Sequence, residues 1–252
     1  MNQQEALFTY LLRLGDTSLI LGQRLSEWTG HGPFLEEDLA LTNIALDTFG
    51  QAKSILEYAA QVEGKGRSED QLAFHRSERE FYNALLVEQP NGDYAKTIVR
   101  QVMIDVFDQF YYQELLKSKD ETLAGIAGKS VKEITYHLRH STSWMDRFGN
   151  GTEESHDKAQ QAIEELWRFT DDLFETDEAY RILVEAGIAP SMDKIKTQWE
   201  SKMNELLILS NLKKPEGNYQ VGGSCKGIHT EHLGYLLAEM QHLPRMHPEA
   251  KW

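Results

Sequence analysis

Cysteine is nearly missing from this sequence. Cys225 stands alone, so the chain cannot close a disulfide on itself, and nothing in it points to an oxidising compartment. Proline is scarce: Pro33, Pro90, Pro190, Pro215, Pro244 and Pro248 are the only six in 252 residues. No apolar run approaches the roughly 20 residues that a helix needs to span a bilayer. The first residues, Met1-Asn2-Gln3-Gln4-Glu5, lack the basic start and apolar stretch of a secretion signal. Positive charge is the last deficit. The 26 basic residues against 40 acidic ones give a formal charge of −14. That balance argues against nucleic acid and anionic membrane as general partners. The expectation that remains is a folded, soluble, cytoplasmic chain, 40% apolar and long enough to bury a core.

The prolines fall between long periodic stretches, where they punctuate helices without interrupting them. The spacing of apolar residues predicts helices over 4–29, 36–62, 70–87, 93–118, 120–148, 154–175, 191–208 and 229–243. No segment shows the β-branched alternation of a sheet. Loops are marked by Thr29-Gly30-His31-Gly32-Pro33, Gly64-Lys65-Gly66, Glu88-Gln89-Pro90-Asn91-Gly92-Asp93 and Gly149-Asn150-Gly151. Helices of roughly 25 residues are about 38 Å long. The expected fold is therefore all-α: an elongated four-helix bundle built from 4–29, 36–62, 93–118 and 120–148, with shorter helices packed against it, as a single domain over 1–252. The first helix is apolar nearly all round, from Leu7 and Phe8 through Leu19, Ile20 and Leu21 to Leu25. Helices of that kind are covered on several sides, which predicts a large subunit interface as well as the extra helices.

Asp105 is the most telling polar residue. It sits between Val102-Met103-Ile104 and Val106-Phe107, and a buried carboxylate needs a cation, a metal or several donors. A metal ligand and a carboxylate satisfied by neighbouring side chains both remain open, the second being favoured. His137 lies one turn after Glu133, beside the stripe Leu123, Ala127, Val131, Ile134, Leu138 and Met145. Such a histidine is more often a satisfied core residue than a ligand. A carboxylate-bridged di-iron bundle places Glu-x-x-His on two of its helices. The sequence has Glu153 with His156 and Glu239 with His242, both outside the four long helices, so that spacing test fails. The glycine-rich stretch 222–234 carries His229, Glu231 and His232. Zinc is conceivable there, but Cys225 has no partner cysteine. The favoured reading is a loop closing onto a capped helix, with histidines making local hydrogen bonds. Lys226 in the same loop matches no phosphate-loop template. Nucleophile elbows, dinucleotide-binding glycine motifs and aromatic–basic patterns are lacking.

Longer stretches carry a family resemblance. They are Leu11-Leu12-Arg13-Leu14-Gly15-Asp16, Leu21-Gly22-Gln23-Arg24-Leu25-Ser26-Glu27-Trp28, Asn43-Ile44-Ala45-Leu46-Asp47 through Gly50-Gln51-Ala52, Leu86-Val87-Glu88-Gln89-Pro90-Asn91-Gly92, Arg147-Phe148-Gly149-Asn150-Gly151-Thr152 and His229-Thr230-Glu231-His232. In these the chain resembles the C subunits of the ring-1,2-phenylacetyl-CoA epoxidases, which are bacterial multicomponent monooxygenases. The resemblance implies a ferritin-like fold. It also implies a division of labour. A related catalytic A subunit holds the di-iron centre and binds phenylacetyl-CoA, a small B subunit organises the assembly, and a reductase subunit brings electrons. The C subunit pairs with the catalytic one in a hetero-oligomer, is regarded as structural, and would bind no cofactor itself. A homodimer of the isolated chain is left open.

The resemblance further assigns six ligand positions to Ile20, Thr48, Gln51, Asp105, Ile134 and His137. The catalytic relative carries Asp-Glu-x-Gly-His where this chain has Asp47-Thr48-Phe49-Gly50-Gln51. It carries Lys-Glu-Glu-x-Phe-His where this chain has Lys132-Glu133-Ile134-Thr135-Tyr136-His137. Asp105 and His137 alone survive, and two ligands cannot hold two irons. The expectation is a degenerate di-iron site filled by a hydrogen-bonded network of Thr48, Gln51, Asp105 and His137, with Asp47 and Glu133 as further members and a protonated His137 paired with Asp105. The competing expectation is a competent di-iron oxygenase with unusual ligands drawn from Asp16, Asp47, Asp105, Asp108, Glu133 and His137. Iron storage is disfavoured, because the carboxylate set of a ferroxidase is missing.

Overall fold

The computed structural model describes residues 1–217, 219–248 and 250. Among these residues there is no strand. The helices are α1 (Gln3–Ser26), α2 (Leu35–Glu63), α3 (Glu69–Phe74), α4 (Tyr94–Leu115), α5 (Glu121–Gly149), α6 (Glu153–Leu166), α7 (Glu178–Glu185), α8 (Met192–Leu209), α9 (Glu231–Met240) and α10 (His242–Met246). The all-α expectation holds, and the four long helices form two hairpins of the ferritin-like kind. The chain divides into two compact units. One comprises Met1–Pro90, Thr176–Leu183 and the segment from Gly223 onward. The other comprises Asn91–Glu175 and Val184–Gly222.

In the first unit α1 and α2 run antiparallel. Gln4 Nε2 near the start of α1 donates to the Val62 carbonyl near the end of α2 at 2.6 Å, and the hydroxyls of Thr29 and Thr42 meet at 3.1 Å at the other end. Asn2 and Glu5 form a capping box at the start of α1, and Gly64, with φ 69°, closes α2 in the left-handed region. Gly15 allows the helices to approach closely, since a Cβ there would fall 2.6 Å from Leu56. Leu11, Ile20, Leu25, Leu41, Ile44 and Ile55 fill the seam and are fully buried.

The helix expected over 70–87 is corrected by the structure. It stops at Phe74, and only one 3-10 turn, Glu78–Glu80, follows. Polar side chains of α1 explain the break. The Asp16 carboxylate accepts the Tyr82 N–H at 3.0 Å and pairs with Arg76, while Thr17 Oγ1 accepts the Ala84 N–H at 3.1 Å. These backbone donors are taken from outside, so no α-helix forms over residues 81–87, all of them buried except the half-buried Tyr82. Arg76 and Asp16 are both buried, and the guanidinium also stacks 4.2 Å over the Phe81 ring.

In the second unit α4 and α5 are antiparallel as well. Tyr94, first in α4, packs edge-on against Trp144 and Phe148 near the end of α5, with centroids 5.3 and 5.9 Å apart. Asp93 and Asp120 cap the two helices through the N–H groups of Lys96 and Leu123. α6 and α8 flank α4, where the Trp199 indole donates to the Met103 carbonyl at 2.9 Å. The helix expected over 154–175 ends at Leu166 and continues only as 3-10 turns to Phe174, where Thr170 Oγ1 turns back to the Trp167 carbonyl at 2.8 Å. α7 was not expected, because eight residues are too short to display a period; Asp177 fixes its start by accepting the Tyr180 N–H. The helix expected over 229–243 is divided into α9 and α10 at Gln241. None of the helices is long and apolar enough to cross a membrane among the described residues.

Candidate functional site

The buried face of α5 carries Ser130, Ile134, His137, Ser141 and Met145, spaced at three and four residues. On α4 the matching polar positions are Gln101, Asp105 and Asp108. Asp105 is only 1% exposed. Gln101 Nε2 donates to its Oδ1 at 2.7 Å, and Ser141 Oγ donates to its Oδ2 at 2.6 Å. Two neutral donors thus satisfy the carboxylate from one turn back on its own helix and from the facing one.

The electrostatics follow from burial. Removal from water pushes the Asp105 carboxyl up to about 6, opposed by His137, by the two hydrogen bonds and by His140. Asp108 is driven well above the carboxylate range, first by burial and then by the charge of Asp105. The other groups around Asp105 are the Gln101 amide, the Ser141 hydroxyl, the imidazoles of His137 and His140 and, on the same face of α5 as His137, the hydrocarbon of Ile134, which is 2% exposed.

Of the remaining expected residues, all but Glu133 lie in the first unit. Thr48 is buried, and its hydroxyl donates to the Ile44 carbonyl of its own helix at 2.7 Å. Gln51 is buried one turn further along, Asp47 is half-buried, and Ile20 on α1 is fully buried. Glu133, in the second unit, lies 3.7 Å from Lys129 Nζ along α5. Asp16, an alternative ligand, is committed to Arg76 and the Tyr82 amide. Among the described residues no three His, Cys, Asp or Glu side chains come together in a group that could hold a metal ion. The donors present do not fit a di-iron centre. His137 lies close enough to act electrostatically on Asp105, while Gln101, Ser141 and His140 were not foreseen. Their signal was available: Gln101 stands four residues before Asp105, and Ser141 four after His137.

A family model described as phenylacetic acid catabolic protein matches residues 1–252. The chain belongs to that family. It is 51% identical over 253 residues to the C subunit of the 1,2-phenylacetyl-CoA epoxidase of Escherichia coli (strain K12), and the match covers 100% of both chains. A likeness of that extent leaves no segment outside the family pattern. It takes in the α4–α5 cluster, and also the 222–234 stretch, where His229 meets Glu88 at 2.9 Å. The 222–234 stretch is a loop leading into α9, whose first residues carry no side-chain cap, and the His229 bonds run to distant residues and not to local ones, unlike the favoured reading.

Proposed function

We propose that this chain is the structural, non-catalytic subunit of a 1,2-phenylacetyl-CoA epoxidase in aerobic phenylacetate breakdown. In this reading it pairs with a di-iron catalytic subunit in the cytoplasm and stabilises it, while a small subunit and a reductase complete the assembly. The full-length likeness to the C subunit of such an epoxidase supports the complex it belongs to. The observation that carries the non-catalytic half is Ile134: a buried hydrocarbon on the inward face of α5, one turn before His137, where an iron-binding helix needs a carboxylate. Thr48, whose hydroxyl is turned to its own helix, supports the same conclusion. Pairing is supported by α2, where Leu35, Leu39 and Leu46 recur on one face and stand 72%, 55% and 61% exposed.

The test is the iron-to-protein ratio of the chain expressed alone with iron supplied, followed by co-purification with the catalytic subunit. The expected result is a ratio near zero in a folded helical protein that binds its partner. A ratio of about two, the load of a di-iron bundle, would instead make the chain an oxygenase in its own right.

A further inference from the structure

The 222–234 stretch carries a second ionisable site, wholly within the first unit. Glu88 and His229 have side chains that are 0% exposed. Glu88 Oε1 accepts the Thr230 N–H at 2.6 Å and the Thr230 hydroxyl at 2.7 Å. Glu88 Oε2 accepts Asn83 Nδ2 at 2.9 Å, and that amide also donates to the Ala84 carbonyl, which fixes its orientation. His229 fills the remaining place. Its Nδ1 lies 2.9 Å from Glu88 Oε2, and its Nε2 lies 2.8 Å from the Phe81 carbonyl oxygen.

This geometry fixes the proton count. A carbonyl oxygen only accepts, so Nε2 carries a hydrogen. Nδ1 faces a carboxylate oxygen, so a further proton must lie between the two groups. With three other donors already on Glu88, that proton belongs on Nδ1, making a buried imidazolium–carboxylate pair. Without it, a nitrogen lone pair would face a carboxylate in a space closed to water, and the contact would become repulsive.

We propose that Glu88 and His229 are a proton-operated latch, which closes residues 223–248 onto residues 73–89 while the proton is held and releases them when it is lost. Other polar ties join the same segments, among them Gln89 Nε2 donating to the Thr230 hydroxyl at 3.4 Å. Gln241 Nε2 donates to the Ala73 and Arg76 carbonyls, Arg245 to those of Phe74 and Arg76, and Arg79 Nη1 to that of Gly227. Other charged groups stand on the elements around the pair, and of these Asp16 acts on His229. From α1 come Asp16, which is paired with Arg76, and Arg24, which donates to the Glu88 backbone carbonyl. Arg79 stands on the 3-10 turn, and Glu231 and His232 follow on α9. Burial alone would lower the His229 pKa. The bonds to Glu88 and Phe81 and the charges of Glu88 and Asp16 outweigh it, and the net direction is upward. A raised folded value gives stability that is complete below the unfolded value of about 6.5 and is lost as pH rises through the folded one.

The experiment is hydrogen exchange by mass spectrometry on the full chain between about pH 6 and pH 9.5, corrected for base-catalysed intrinsic exchange. In the unmodified protein, opening of 223–248 should rise by up to about tenfold per pH unit above about pH 6.5 and then level off, while α1 and α2 stay protected. In Glu88→Gln the new amide donates to a neutral His229 but sets its N–H against Asn83 Nδ2, so overall protection should fall somewhat while opening no longer depends on pH. In His229→Gln protection should be low at every pH, without a rise. A flat profile in the unmodified protein, or the same rise in Glu88→Gln, would overturn the latch.

Discussion

Asp105→Asn exchanges a buried acid for an amide of the same shape, and its effect on stability can be worked out from the surroundings. The side chain is fully enclosed, so no solvent screening reduces the effect. Its pKa is raised from 3.8 to about 6. The sign follows: protonation favours the folded state, so the benefit is complete below about 3.8 and is lost as pH rises through about 6. Keeping Asp105 ionised above pH 7 costs about 2.2 pKa units, or about 3 kcal/mol. The amide removes that cost while keeping both contacts. Gln101 still donates to the oxygen, and the Ser141 hydroxyl can rotate to accept the new N–H while donating to the Leu138 carbonyl, 3.3 Å away. Urea unfolding of both proteins, read by circular dichroism from about pH 5 to pH 8, measures the difference. Asp105→Asn should be the more stable by about 3 kcal/mol above pH 7 and by roughly half that at pH 5. A variant less stable than the parent at pH 8, or a difference that ignores pH, would refute the picture of a charge stranded by burial.

Other substitutions probe the remaining features. Asp16→Ala strands the Arg76 guanidinium in a buried site and should cost about 3–5 kcal/mol in denaturant unfolding, whereas Asp16→Leu combined with Arg76→Met should recover much of it. Gly149→Ala places a methyl group on the Ser210 carbonyl oxygen, which is backbone and cannot turn aside; the melting temperature should fall by several degrees. Ile134→Glu buries an unpaired carboxylate on α5. It should lower the urea midpoint at pH 8 and bring in no stoichiometric iron by colorimetric assay, because the other donors are still missing.

The long helices were legible because each shows one period over several turns. α5 is the clearest, with Leu123, Ala127, Ile134 and Met145 all buried where the stripe put them. The 75–90 stretch was not legible. Phe81, Leu85, Leu86 and Val87 have a helical look in one dimension, and what prevents the helix is Asp16 and Thr17, which lie 66 and 67 residues before the amides they hold. A separation more than twice as long, 141 residues to His229, hid the role of Glu88, which as a sequence reads as a loop residue before Pro90. At the α4–α5 cluster the burial of Asp105 was evident from its apolar neighbours. Its hydrogen-bond donors were harder to foresee: one is an amide a turn back on its own helix, the other a hydroxyl on the facing helix.

The connectivity of the two units has a consequence for synthesis on the ribosome. The chain passes between them four times, and the segment that satisfies Glu88 lies 142 residues after it. At 5–20 residues per second those residues take roughly 7 to 28 s to appear. Throughout that interval α1 and α2 can pair, but Glu88 has neither His229 nor Thr230, and the groove beside residues 73–89 has nothing to cover it. The α1–α2 hairpin therefore waits, half-finished, until His229 and Thr230 are made. This is an arrangement in which holding chaperones have a long time to act, and in which a chain released short of Thr230 leaves a stranded charge for quality control to find.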